Sequence, residues 1–297
     1  GMPAIELFPY EDTEKLIAGF SADEWETALG KSPAQGLEAL RRILAERLNK
    51  ENNLEGRQPL TKENIVITEG SQDGLDLLGW LVRGISDERP DRSNIVITQK
   101  PTYLGFMSAA GPYGCEVNPY DLDSLGGLQK LYDDLKTKRD NHEALPSLIY
   151  VMPTFGNPNG NVMSLEARKR LLEIANEFEI MIAEDNPYGA LRYNEESYQP
   201  TLLELSKADK YDKVRVIYLG TVSKTFTPGM RIGWTVAPEG IIKKLIEYKK
   251  ATAGGANPLK RRSQRLRNRY MKKFDFFPDN LGLYACTGCG RCIECCP

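Results

Sequence analysis

Seven short runs of apolar, largely β-branched residues punctuate the chain: "NIVIT" (64–68), "NIVIT" (94–98), "CEVNPY" (115–120), "LIYVM" (148–152), "IMIAE" (180–184), "VRVIYL" (214–219) and "IGWTVA" (232–237). Runs with little polar alternation suit strands covered on both faces. Helical patterns lie between them. Residues 36–50, "GLEALRRILAERLNK", place Leu37, Leu40, Leu44 and Leu48 on one stripe. Residues 164–178, "SLEARKRLLEIANEF", open with an N-capping serine and an acidic first turn. Strand and helix in alternation predict an α/β domain: a mostly parallel seven-stranded sheet with helices on both faces. Ligands of such sheets bind at the carboxyl ends of the strands. The two "NIVIT" copies are followed by different sequence and do not mark a repeat.

The loops after these runs carry the chemistry. "TVSKTFTPGMRIGW" (221–234) sets the amine of Lys224 between the hydroxyls of Thr221 and Ser223 and the turn at Pro228 and Gly229, with Arg231 close behind. Two hydroxyls and a guanidinium form a donor set of phosphate size beside a reactive amine. "EDNPYG" (184–189) follows a strand and offers Asp185 and Tyr188; "NPNG" (157–160) follows another. "TEGSQDGLDLL" (68–78) reads as strand, glycine turn and helix, so the backbone N–H groups of Ser71 and Gln72 are placed to cradle an anion. Taken singly, each has an ordinary reading: a solvated lysine, a turn-capping aspartate, a helix-capping serine.

Together these motifs resemble the class I/II, fold type I, pyridoxal-phosphate-dependent aminotransferases, in particular the branch of the 2-aminoadipate and kynurenine aminotransferases. The resemblance runs over residues 1–253, with the phosphate turn, N-P-x-G, D-x-P-Y-G and lysine motifs in family order. It implies the large, cofactor-binding domain of such an enzyme, transferring an amino group between an amino acid and a 2-oxo acid, and a homodimer. It also implies roles. Lys224 carries pyridoxal 5′-phosphate as a Schiff base and moves the substrate proton. Asp185 keeps the pyridine nitrogen protonated. Tyr188 and Asn157 bond the ring's phenolic oxygen, and Tyr103, in "KPTYLG", stacks on the ring. Ser71, Gln72, Thr221, Ser223 and Arg231 hold the phosphate. Lyases, decarboxylases and some transcriptional regulators use the same residues, and that alternative stays open.

The sequence departs from the family in several places. The chain opens at "GMP", inside the glycine-glycine-x-proline segment that usually covers the substrate. Leu29 stands where a tyrosine usually reaches the neighbouring subunit's phosphate, and Gly156 and Asn159 replace a commoner glutamine and threonine. Beyond residue 253 nothing resembles the smaller C-terminal domain, whose arginine grips the substrate carboxylate. Slow or absent turnover is the resulting expectation.

The end of the chain has a different character. Residues 254–297 are read as a linker around "ATAGGANPLK" (251–260), a basic helix and a cysteine tail. Residues 260–273 hold eight Lys or Arg and no acid, a pattern of either a solvated basic face or a surface for nucleic acid or anionic membrane. In "CTGCGRCIECCP", Cys286, Cys289, Cys292 and Cys296, followed by Pro297, have the bacterial ferredoxin spacing for a [4Fe–4S] cluster. Zinc is the rival for closely spaced thiolates. Residues 257–297 also resemble the iron–sulfur subunits of anaerobic sulfite reductase, but a second cysteine motif is absent, which leaves Cys295 or Cys296 as fourth ligand. An iron–sulfur electron-transfer module is therefore the alternative function. The two segments read as fragments joined near residues 251–257.

Composition excludes little. Net charge is −2, no apolar run approaches membrane-spanning length, and the N-terminus lacks a signal peptide's basic start and apolar core. A cytoplasmic protein without nucleic-acid or membrane partners is expected. Cys115, remote from the other cysteines, is expected to be a buried small side chain. His142 lies outside every motif and is expected in a solvated loop.

Overall fold

The computed structural model describes residues 3–30, 32–56, 58–192 and 198–252. Contacts divide the chain into Gly1–Ile246 and Glu247–Pro297, and the sheet belongs to the first unit. All seven apolar runs become strands: β1 (Ile65–Thr68), β2 (Arg92–Gln99), β3 (Glu116–Tyr120), β4 (Leu145–Val151), β5 (Met181–Asp185), β6 (Val216–Thr221) and β7 (Gly233–Val236). They form one sheet in the order β1-β7-β6-β5-β4-β2-β3. The pairs β2–β3, β2–β4, β4–β5 and β5–β6 are parallel. β7 runs antiparallel to both its neighbours, β1 and β6. Six strands therefore point one way and β7 alone is reversed.

The helices among the described residues are α1 (Tyr10–Ala18), α2 (Ala22–Leu29), α3 (Glu38–Glu51), α4 (Ser71–Glu88), α5 (Leu104–Ala110), α6 (Leu125–Asp140), α7 (Leu165–Glu177), α8 (Leu202–Leu205) and α9 (Glu239–Thr252). Alternation along the strands feeds two core layers. On one face, Ile149 and Val151 of β4, Ile182 of β5 and Trp234 of β7 pack with Leu44 and Leu48 of α3, Leu128 and Leu131 of α6, and Leu171 and Leu172 of α7. On the other, Phe106 of α5 stacks on Tyr150 of β4. There α4 lies so close to β6 and β7 that a Cβ on Gly74 would meet Leu219 Cδ2 at 2.8 Å and Thr235 Oγ1 at 3.1 Å. Each fully buried leucine contributes about 1.5–3 kcal/mol by leaving water.

Local signals explain the helix starts. Ser164 accepts a hydrogen bond from the Ala167 N–H and caps α7 as expected. The α3 stripe is shorter than its sequence period: Leu44 and Leu48 are buried, but Leu37 is the N-cap residue and exposed. Arg168 of α7 is fully buried, donating to the carbonyls of Met163, Pro153 and Pro200 and to Thr154 Oγ1. It ties the loop after β4 to the segment before α8. Cys115 is half-buried rather than buried, its Sγ 3.6 Å from the Gly79 carbonyl, and burial pushes its thiol up to about 11. His142 follows α6 in an exposed turn with φ 58°. The basic helix and the tail cysteines Cys286, Cys289, Cys292, Cys295 and Cys296 lie outside the described residues.

Candidate active site

The reversed strand builds the site. Because β7 is antiparallel, its first residue, Gly233, pairs with both Thr68 and Thr221, the last residues of β1 and β6. The amino end of β7 thus joins the carboxyl ends of its neighbours, and Arg231, just ahead of Gly233, arrives beside the start of α4. Arg231 turns left-handed, with φ 50° and ψ 40°, and its Nη2 donates to the Glu69 carbonyl at 3.0 Å.

Gly70 is the N-cap of α4, with φ 81° and ψ 175° and no side chain to cap the helix. A Cβ there would lie 3.2 Å from Arg231 Nη2 and 3.3 Å from its Cζ. Ser71 and Gln72 open the helix, so the sequence reading of strand, glycine turn and helix holds. The first-turn N–H groups of α4 and the guanidinium together present positive charge to one spot. The Gln72 amide leans across to the Gly105 carbonyl, 3.0 Å away.

Thr221 and Ser223 are buried at the end of β6. Thr221 Oγ1 is 2.9 Å from both Ser223 Oγ and the Ile232 carbonyl, and the Ser223 N–H donates to it at 3.1 Å. Lys224 follows on the turn, half-buried, its Nζ 5.9 Å from the centroid of the Tyr188 ring. Asn157 and Tyr188 line one cavity of about 290 Å³ with Phe155, Gly156, Pro158, Gly160 and Leu191.

Asp185 closes β5 and is buried. Tyr150 Oη donates to its Oδ2 at 2.7 Å, while Oδ1 has no hydrogen-bond partner among the described residues. Burial holds the Asp185 carboxyl up at about 6, and the Tyr150 hydrogen bond works against that rise. Burial, and then the Asp185 charge, drive the Tyr150 phenol well above its ordinary value. Tyr188 is raised as well, by burial first and then by Tyr103 and Asp185. Tyr103, the N-cap of α5, thus belongs to the same group of side chains. Tyr150 is the participant that motif reading missed. Its signal was a hydroxyl inside an otherwise apolar strand, which needs a partner once buried.

A carboxylate oxygen buried without a donor, a hydroxyl pair, a guanidinium and an open helix N-terminus lie at the carboxyl ends of the neighbouring strands β5, β6 and β1. A phosphorylated pyridine ring would fit them: its ring N–H would supply the donor that Oδ1 lacks, and its phosphate would suit the positive cluster. This is a pyridoxal-phosphate fold type I domain. The chain belongs to the family of aminotransferases class I and II, whose model it matches over residues 13–264.

Among its relatives, it is similar to the aromatic-amino-acid aminotransferase 1 of Thermococcus litoralis, 35% identical over 82% of this chain and 55% of the relative. Its fold matches the Pyrococcus horikoshii kynurenine aminotransferase solved in complex with PMP, KYN as substrates and KYA as products: TM-score 0.72, 32% identity, 86% of this chain and 59% of that one. It also matches LysN, the alpha-aminoadipate aminotransferase of Thermus thermophilus complexed with N-(5′-phosphopyridoxyl)-L-leucine: TM-score 0.71, 31% identity, 92% of this chain and 63% of that one. The chain therefore spans little more than half the length of the curated relative. Residues 244–297 match a second model, the 4Fe-4S dicluster domain, overlapping the first over 244–264. No helix among the described residues is long and apolar enough to cross a membrane.

Proposed function

We propose that residues 1–253 are the cofactor domain of an aminotransferase that moves an amino group between an amino acid and a 2-oxo acid with pyridoxal 5′-phosphate. The observation that supports this is the placement of Asp185, Lys224, Arg231 and the start of α4 at the carboxyl ends of the neighbouring strands β5, β6 and β1. When bound, the cofactor supplies an electron sink for the charge left at the amino acid's Cα. The chain's residues do the rest. Asp185 Oδ1 accepts from the ring N–H. Arg231, the hydroxyls of Thr221 and Ser223, and the backbone N–H groups of Ser71 and Gln72 hold the phosphate. Asn157 and Tyr188 hold the ring's phenolic oxygen, and Tyr103 covers the ring. Lys224 would hold the cofactor through Nζ and, with that amine free, would carry the proton between the substrate Cα and the cofactor's C4′.

Borohydride reduction in the presence of pyridoxal phosphate should fix the cofactor on the peptide containing Lys224, and Lys224→Ala should abolish it. Label on another lysine, or none with cofactor in excess, overturns the reading. A cytoplasmic homodimer is part of the same proposal. The exposed apolar residues of the N-terminal segment, Leu7, Leu16 and Leu29 among them, support self-association. A monomer by sedimentation at high concentration refutes the dimer.

A second cofactor is proposed for the tail, a [4Fe–4S] cluster on Cys286, Cys289, Cys292 and Cys296. The cysteine spacing and the dicluster-domain match support it. Anaerobically purified protein should contain iron and acid-labile sulfide, and Cys289→Ser should lose them. Zinc in their place refutes the cluster.

A further inference from the structure

We propose that Tyr150 is a positioning residue for Asp185: its hydroxyl ties Oδ2 and keeps the carboxylate anionic, leaving Oδ1 to take the ring N–H of the cofactor. The inference rests on the pyridoxal-phosphate reading and adds to it a residue outside the four motifs. Three observations carry it. The Tyr150 hydroxyl meets Oδ2 at 2.7 Å. Oδ1, on the same buried carboxylate, lacks a hydrogen-bond partner among the described residues. The phenol itself is held in place, because its ring lies flat against Phe106, with centroids 4.0 Å apart and planes inclined by 7°.

The Asp185 carboxylate sits in a poor solvent. Burying its charge is costly, and one charge-assisted hydrogen bond lowers that cost. Among the described residues, the titratable groups that interact with Asp185 are Tyr150 on β4 and Tyr188 in the loop after β5; Tyr103 at the start of α5 acts on both tyrosines, and Lys224 Nζ lies over the Tyr188 ring. α4 and β6 meet nearby through Gly74 and Leu219, which bear no charge. Of these groups, Tyr150 is the hydroxyl that donates to Asp185. Without it the carboxyl gains a proton at higher pH and enters the neutral form, which cannot pair with a protonated ring nitrogen. Rotation about χ2 is also released, so either oxygen can turn away.

The test compares the full-length wild type, Tyr150→Phe and Asp185→Asn, each checked for folding by thermal unfolding. In cofactor-free protein, ¹³C NMR of the Asp185 carboxyl, assigned by its loss in Asp185→Asn, should titrate at higher pH in Tyr150→Phe than in wild type. An unchanged midpoint overturns the pairing whatever the cofactor. Affinity for pyridoxamine 5′-phosphate, which forms no bond to Lys224, is then measured from pH 6 to 9. Tyr150→Phe should bind about tenfold more weakly at pH 6 and converge to within threefold by pH 9. A loss equal at every pH marks Tyr150 as mere packing and overturns the proposal. Failure of the wild type to bind, with the NMR shift intact, overturns the cofactor reading and with it the use assigned to the pair. Should Tyr150→Phe not fold, Tyr150→Gln, which keeps a donor and does not titrate, serves as the second variant: it should keep the wild-type pH dependence, and its failure to do so counts against the proposal.

Discussion

The guanidinium of Arg231 rests against Gly70, close enough that a Cβ on that glycine would sit 3.3 Å from the arginine Cζ. The two residues are joined through the Glu69 carbonyl, to which Arg231 Nη2 donates. A positively charged corner is thus assembled from sequence positions far apart, and it depends on one backbone conformation.

Gly70→Ala tests that dependence. With φ at 81°, the position is one that L side chains rarely adopt, and the strain is about 1–3 kcal/mol. The added methyl also crowds the guanidinium. Urea unfolding should show a loss of that size, and cofactor titration a weaker affinity than the stability loss alone produces.

Arg231→Ala should act on the phosphate and leave the ring alone. Loss of charge-assisted hydrogen bonds of about 1.5–3 kcal/mol weakens pyridoxal phosphate binding roughly 10- to 100-fold. Affinity for pyridoxal, which has no phosphate, should change little. Fluorescence titration with both ligands separates the two, and equal losses would refute the assignment.

Asp185→Asn should stabilise the cofactor-free protein at neutral and alkaline pH. The carboxyl stands at about 6 in the fold against its ordinary 3.8, so the native state holds the proton more tightly than the unfolded chain. Its stability contribution is therefore present below pH 4 and lost as pH rises through 6, a difference of about 3 kcal/mol. Urea midpoints of the two proteins should converge near pH 4 and separate by pH 8, with the variant higher.

Arg168→Met should cost about 3–5 kcal/mol. The arginine is fully buried, and its removal strands the Met163, Pro153 and Pro200 carbonyls. The nearby Glu184 also loses a cationic neighbour that opposes the rise burial imposes on it. Thermal unfolding gives the magnitude, and a change below about 1 kcal/mol would show that water replaces the guanidinium.

Strands buried on both faces announce themselves, so all seven were legible, as was the capped start of α7 at Ser164. The direction of β7 was not: four residues of "GWTV" carry no information about which neighbour they join. The motif residues could be picked out because four weak motifs follow one another in the order of the family they resemble. Tyr150 and Arg168 were not. The first reads as one more β-favouring residue in "LIYVM", the second as a charge on a mixed helix face, and each acquires its meaning from a partner remote in sequence. For Tyr150 that partner is 35 residues away.

The pairing of Thr68 with Gly233 has a consequence for biosynthesis. Among the described residues β1 pairs with β7 and no other strand, so it stays unpaired until the chain has been translated through Val236. During that interval the strand that leads into Gly70 and α4 is exposed to pairing with other nascent chains. The positively charged corner is then completed late, by the arrival of the same hairpin that brings Lys224 and Arg231.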